Sequence, residues 1–96
     1  MKPSVALQTH RDAIRTVVER HNARNARVFG SALHGDDQEG SDLDILIDPT
    51  PETTLFDIGT IRHELLQLLG VHVDVLTPNA LPDSFRAKVI NEARPV

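Results

Sequence analysis

The chain has 96 residues, 40% of them hydrophobic, which suffices for a single domain over residues 1–96 and excludes wholesale disorder. Ten basic against fourteen acidic side chains give a net charge of −4, which argues against direct nucleic-acid binding, since that depends on Lys and Arg neutralising phosphates. With no Cys there is no disulfide or thiolate metal site, and no apolar run approaches the ~20 residues of a membrane helix, so a cytoplasmic protein without a membrane partner is expected.

Thr9 is placed to cap a first helix, in which Ile14, Val17, Val18 and His21 recur at helical spacing, and Asn22–Asn25 is the turn that ends it. Arg27-Val28-Phe29 reads as a first strand. Residues 31–40, rich in Gly and Asp, read as a short helix and loop. Residues 42–48 read as a second strand, closed by Pro49-Thr50-Pro51 because proline cannot donate to a ladder. Thr53 or Thr54 starts the next helix, where Leu55, Ile58, Ile61, Leu65, Leu68 and Leu69 make one apolar stripe. Gly70 lies where a left-handed cap residue is wanted, and residues 71–76 form a third strand. After Pro78 and Pro82, the positions Leu81, Phe85, Val89 and Ile90 mark the face of a last helix, and residues 93–96 a short edge strand.

The fold class is therefore α/β, of the α+β kind: a small mixed sheet of three to four strands with helices packed on it. The helix between strands two and three is long enough for a parallel crossover. Strands one and two are joined by only about ten residues and suit an antiparallel pair. That topology brings Gly30-Ser31, at the end of strand one, beside the start of strand two.

The chemistry of the chain gathers there. Residues two apart on a strand share a face, so Asp42 and Asp44 present adjacent carboxylates while Leu43, Ile45 and Ile47 point the other way. Two close carboxylates repel unless a cation lies between them, and hard oxygen ligands suit Mg²⁺. Asp74 falls as far into its strand as Asp44 does into its own, so in a parallel pair the two sit level. A surface acid or a turn carboxylate would be the bland reading of each. For Asp44 that reading is weak, because a lone carboxylate in an apolar strand is costly. Five arginines between residues 11 and 27 read as a solvated helix face, whereas the acids between 36 and 57 surround the candidate metal site.

Gly30-Ser31, a spacer of about ten residues and Ser41-Asp42-Leu43-Asp44-Ile45, followed by Asp74 on a later strand, resemble the motif of the minimal nucleotidyltransferases of the DNA polymerase beta superfamily. These proteins are encoded beside HEPN-domain toxins in prokaryotic toxin–antitoxin pairs. The resemblance spans His10 to Val96 and implies a nucleotidyltransferase core. It implies catalytic and metal-binding roles for Asp42, Asp44 and Asp74 with two Mg²⁺ ions, and nucleotide contacts from Gly30, Ser31 and Ser41. It implies ATP as substrate, a hydroxyl of a HEPN toxin as acceptor of the AMP group, and an antitoxin function. A domain of this size also lacks the extra helical domain with which larger relatives bind other acceptors.

One position departs from the motif. Many relatives carry an Arg about four residues after the serine, where this chain has Ala32-Leu33-His34-Gly35 and then Asp36, Asp37 and Glu39. The departure implies weaker triphosphate binding or a charge supplied by a partner. It also motivates a competing reading, a non-catalytic module that neutralises a HEPN partner by occlusion. Three crowded acids weigh against that alternative, since a scaffold has no use for them.

Overall fold

The computed structural model describes residues 1–96. Helices α1 (Pro3–Thr9) and α2 (Arg11–Arg20) precede strand β1 (Ala23–Phe29), the one-turn helix α3 (Ser31–His34) and strand β2 (Leu43–Pro49). Then come α4 (Leu55–Leu69), β3 (Val73–Leu76), a 3-10 turn (Pro78–Ala80), α5 (Arg86–Glu92) and β4 (Arg94–Pro95). The strands form one sheet in the order β3-β2-β1-β4. β1 runs antiparallel to β2 and β4, and β2 runs parallel to β3, so the mixed sheet follows the connection lengths as expected. No helix is long and apolar enough to cross a membrane.

Alternation along the strands puts Leu43, Ile45, Ile47, Val73 and Val75 on one face, packed with Ile14, Val17 and Val18 of α2 and with Ile61, Leu65 and Leu69 of α4. Burying each of the larger side chains contributes roughly 1.5–3 kcal/mol. The opposite face carries a smaller cluster of Leu46, Leu81 and Ala93, with Phe29, Leu76 and Val89 against it. Beyond Asp44, β2 is thus covered on both faces, which is why Ile45-Leu46-Ile47 is a continuous apolar run.

The N-terminal third departs from the sequence expectation. Residues 3–9 form α1, which begins with Pro3 in its first turn. Thr9 consequently ends α1 instead of capping α2: its hydroxyl donates to the Val5 carbonyl at 2.9 Å, and His10 holds the cap position of α2. β1 starts at Ala23, where a turn was expected. Between Arg24, opposite Asp48, and Arg27, opposite Leu46, three steps on β1 match two on β2, a β-bulge. Asn25 takes a left-handed φ of 56° there, a conformation Asn tolerates, and its amide donates to Asp48 Oδ2 at 2.8 Å. The bulge makes Ala23, Ala26 and Val28 the buried positions, so the period-2 signature is lost.

α4 begins where Thr54 predicts. The Asp57 N–H donates to Thr54 Oγ1 at 3.1 Å and the Thr54 N–H to Asp57 Oδ2 at 2.9 Å, a capping box, and Gly70 closes the helix at φ 69°. Its stripe is narrower than expected: Ile61, Leu65 and Leu69 are buried, but Leu55 is 87% exposed and Leu68 lies on the rim. At ~100° per residue, Leu55 projects roughly 80° away from the direction of those three. The last helix starts at Arg86, not near Leu81. Leu81 is buried after the 3-10 turn and Phe85 stays partly exposed. The Arg86 guanidinium holds this segment, donating to the carbonyls of Pro78 at 2.8 Å and Leu81 at 2.6 Å. The tail forms the expected edge strand, with the Val96 N–H donating to the Ala26 carbonyl at 3.0 Å.

Candidate active site

Asp44 and Asp74 are register partners on β2 and β3, level with one another and on the same face. Asp42 stands two residues earlier, exposed, just ahead of β2. On the other side of Asp44, across the antiparallel ladder, lies Phe29, and the next pair along the acid face is Leu46 with Leu76. The carboxylates therefore sit at one end of a face whose remainder is apolar. This half-buried setting pushes the Asp44 carboxyl up to about 6, first by burial, then by the negative charges of Asp74 and Asp42, and last by a hydrogen bond with Asp74.

Gly30 closes the site from β1. Its φ is 74°, in the left-handed region, and a Cβ built on it would meet Asp44 Oδ2 at 2.2 Å. Only glycine lets the backbone pass the carboxylate this closely. The chain then turns into α3, with the N–H groups of Leu33 and His34 donating to the Gly30 carbonyl at 3.1 and 3.2 Å. Ser31 opens α3 at the same end of the sheet. Ser41 is placed differently: its hydroxyl accepts from the Gln38 N–H at 3.0 Å, and its own N–H donates to the Gln38 carbonyl at 3.0 Å, closing the loop that leads into β2.

Of the residues singled out in the sequence, the fold brings Gly30, Asp44 and Asp74 directly together, with Asp42 and Ser31 at the margin and Ser41 turned into its own loop. No set of three or more His, Cys, Asp or Glu side chains closes to a metal-binding group in this arrangement. The donor chemistry nonetheless fits a hard divalent cation. Asp44 is a carboxyl whose charge is opposed by burial and by two further acids, and a cation shared by Asp42, Asp44 and Asp74 would relieve that opposition.

Two features at the site were missed in the sequence. Asp37 of the acidic loop accepts the Ser4 N–H at 2.7 Å, and this backbone bond chiefly holds its carboxyl below the usual range. Glu39 pairs with the Met1 amine. These acids tie the loop to the N-terminal helix and do not form a free negative patch over the Gly30 turn. A cavity of about 260 Å³ lined by Leu33, His34, Glu92 and Arg94 flanks α3. Nothing local signals it, because two of its four residues come from the far end of the chain.

The family model of the nucleotidyltransferase domain matches residues 10–96. The chain is 33% identical over 86 residues to "Protein adenylyltransferase MntA" of Thermococcus cleftensis, covering 90% of this chain and 84% of that protein. It superimposes on a solved chain described as a "putative minimal nucleotidyltransferase" with a TM-score of 0.87 and 36% identity, over 100% of this chain and 97% of the other. A toxin–antitoxin structure with AMP-PNP shares the fold, with a TM-score of 0.73 at 16% identity over 88% of this chain and 69% of that one. The match to the family model over residues 10–96 means that this chain belongs to the nucleotidyltransferase domain family and is a nucleotidyltransferase.

Proposed function

We propose that the protein transfers AMP from ATP, with Mg²⁺, to a hydroxyl of a HEPN toxin and thereby acts as its antitoxin. The observation that carries the reading is the juxtaposition at Asp44: a carboxyl pushed up to about 6, level with Asp74 and closed over by Gly30. Such a group calls for a cation, and the Gly30–Ser31 turn beside it suits an anion. The name of the Thermococcus relative and the toxin–antitoxin neighbour with AMP-PNP support a protein acceptor and an adenine nucleotide.

Asp42, Asp44 and Asp74 would hold the cation. When bound, Mg²⁺ would neutralise charge developing on the phosphoryl oxygens. Gly30 and Ser31 bind the phosphates, with the Ser31 hydroxyl as donor. The acceptor oxygen forms a bond to the α-phosphorus as the bond from that phosphorus to the bridging oxygen breaks, and pyrophosphate leaves with the electron pair. Asp74, exposed on β3, lies on the acceptor side and takes the hydroxyl proton. Asp37 and Glu39 are engaged by the N-terminal segment, which weakens one motive for a purely occluding module.

The reading predicts a split between two variants. Asp42→Asn with Asp44→Asn should abolish Mg²⁺-dependent ATP binding measured by calorimetry. Asp74→Asn should keep ATP affinity within about threefold yet lose transfer by roughly 10²-fold or more. Full transfer by the Asp74 variant would remove it from the mechanism, and unchanged Mg²⁺-dependent binding in the double variant would remove the cation site.

A further inference from the structure

The helical side of the protein carries a projection and a hollow that a single copy does not use. Phe56, in the first turn of α4, is 88% exposed, and Leu55 beside it is bare as well. The capping box at Thr54 and Asp57 fixes this turn, so the two side chains are held out into solvent. The hollow lies between α2 and α4, a cavity of about 580 Å³ with an apolar floor of Ala13, Val17 and Leu68. Its one acid, Glu64, is already partnered: Arg20 lies 3.4 Å and His21 Nε2 2.6 Å from its carboxylate. Projection and hollow share a face of α4, because Phe56, Thr60 and His63 fall within ~60° around the helix, and His63 lines the cavity about 10 Å along the axis from Phe56. Gly59 lies between them, exposed in the body of the helix. A Cβ there would meet nothing within 4 Å, so the fold of one copy gives no reason for a residue that costs roughly 0.5–1 kcal/mol in a helix.

We propose that this face is a two-fold interface with a second copy of the chain. α4 crosses its counterpart antiparallel at Gly59 and Thr60, small residues that let the two backbones approach closely. Phe56 lies as far to one side of that crossing as His63 lies to the other. Each Phe56 therefore reaches the mouth of the partner's cavity, above its apolar floor and beside the partner's Arg20. A guanidinium on an aromatic face is electrostatically favourable, and Arg20 remains more than half exposed for it. A patch that supplies both projection and hollow is self-complementary, so the contact closes at two copies and does not propagate. A protein whose hydroxyl must reach the acids is not the occupant. α2 and α4 cover the sheet face opposite Asp44 and Asp74, so both acid clusters stay open in the dimer. One helix crossing with two aromatic anchors suits a dissociation constant on the order of 10 μM.

The test is sedimentation velocity of the full chain from about 1 to 300 μM, for wild type, Phe56→Ser and Gly59→Ala. Wild type should pass from monomer to dimer over this range. Phe56→Ser should weaken association about tenfold or more while its melting curve at low concentration stays that of wild type, since the ring touches little in one copy. Gly59→Ala should act in two directions: a higher melting temperature for the dilute monomer, and a dimer weakened about threefold. A merely structural glycine would not produce that split. Wild type that stays monomeric throughout, grows beyond two copies, or associates equally well with Ser at position 56 would overturn the dimer. So would a monomer that needs Phe56 only to bind a different protein, which would make the face a docking site for that protein. None of these outcomes bears on nucleotidyl transfer.

Discussion

Gly30 leaves no room for a side chain beside the Asp44 carboxylate, and each of the two leaves a measurable mark on stability. The Asp44 carboxyl is raised to about 6 in the folded protein, by burial first and then by Asp74 and Asp42, against about 4 when unfolded. Between those values the folded state binds the extra proton, so this group makes metal-free protein more stable as pH falls from 7 towards 5. Because the carboxyl is only half-buried, solvent screening reduces the effect to about 1 kcal/mol. Asp44→Asn should therefore raise the melting temperature of metal-free protein by about 5 °C at pH 7.5, and by less at pH 5, in scanning calorimetry. A lower melting temperature at pH 7.5 would contradict the electrostatic account. Gly30→Ala would place a Cβ 2.2 Å from Asp44 Oδ2 at a φ of 74°. Urea unfolding should show a loss of ~2 kcal/mol or more, of which the clash component is recovered in the double variant with Asp44→Ala. A loss equal in both backgrounds would mean that only the backbone conformation matters.

At the scale of elements, what the sequence made legible was local. The alternation in β2 and the Thr54 start and Gly70 stop of α4 each depend on residues a few positions apart. What it concealed depends on distant partners or broken periods. The bulge at Asn25 spoils the alternation of β1, so only its last three residues read as a strand. The acids at 36, 37 and 39 read as a negative loop near the phosphates, yet Asp37 caps α1 from 33 residues away through the Ser4 N–H. That bond holds the Asp37 carboxyl below its usual range, so it stabilises the protein above about pH 4 and is lost as pH falls through the lowered value. Asp37→Ala should accelerate hydrogen exchange in α1 and in residues 35–41 by about tenfold while leaving α4 unchanged. A uniform acceleration throughout would show that α1 does not open separately from the core.

For the whole molecule, a parallel β2–β3 pair and an antiparallel β1–β2 pair are enough to collect Gly30, Asp44 and Asp74 from three separate segments, and both pairings were legible from connection length. The edge strand at the tail was legible too, but its partner was not: β4 pairs with β1 in a register that no local pattern specifies. The central claim is chemical: the collected acids move AMP onto a partner protein and do not merely cover it. Its most direct test is the intact mass of a HEPN toxin incubated with ATP, Mg²⁺ and either wild type or the Asp42→Asn, Asp44→Asn variant. Wild type should add the mass of one or more adenylates, and the toxin should stay neutralised after the enzyme is removed, whereas the variant should leave its mass unchanged. A toxin neutralised equally well by the variant, with no change in mass from either protein, would contradict the account.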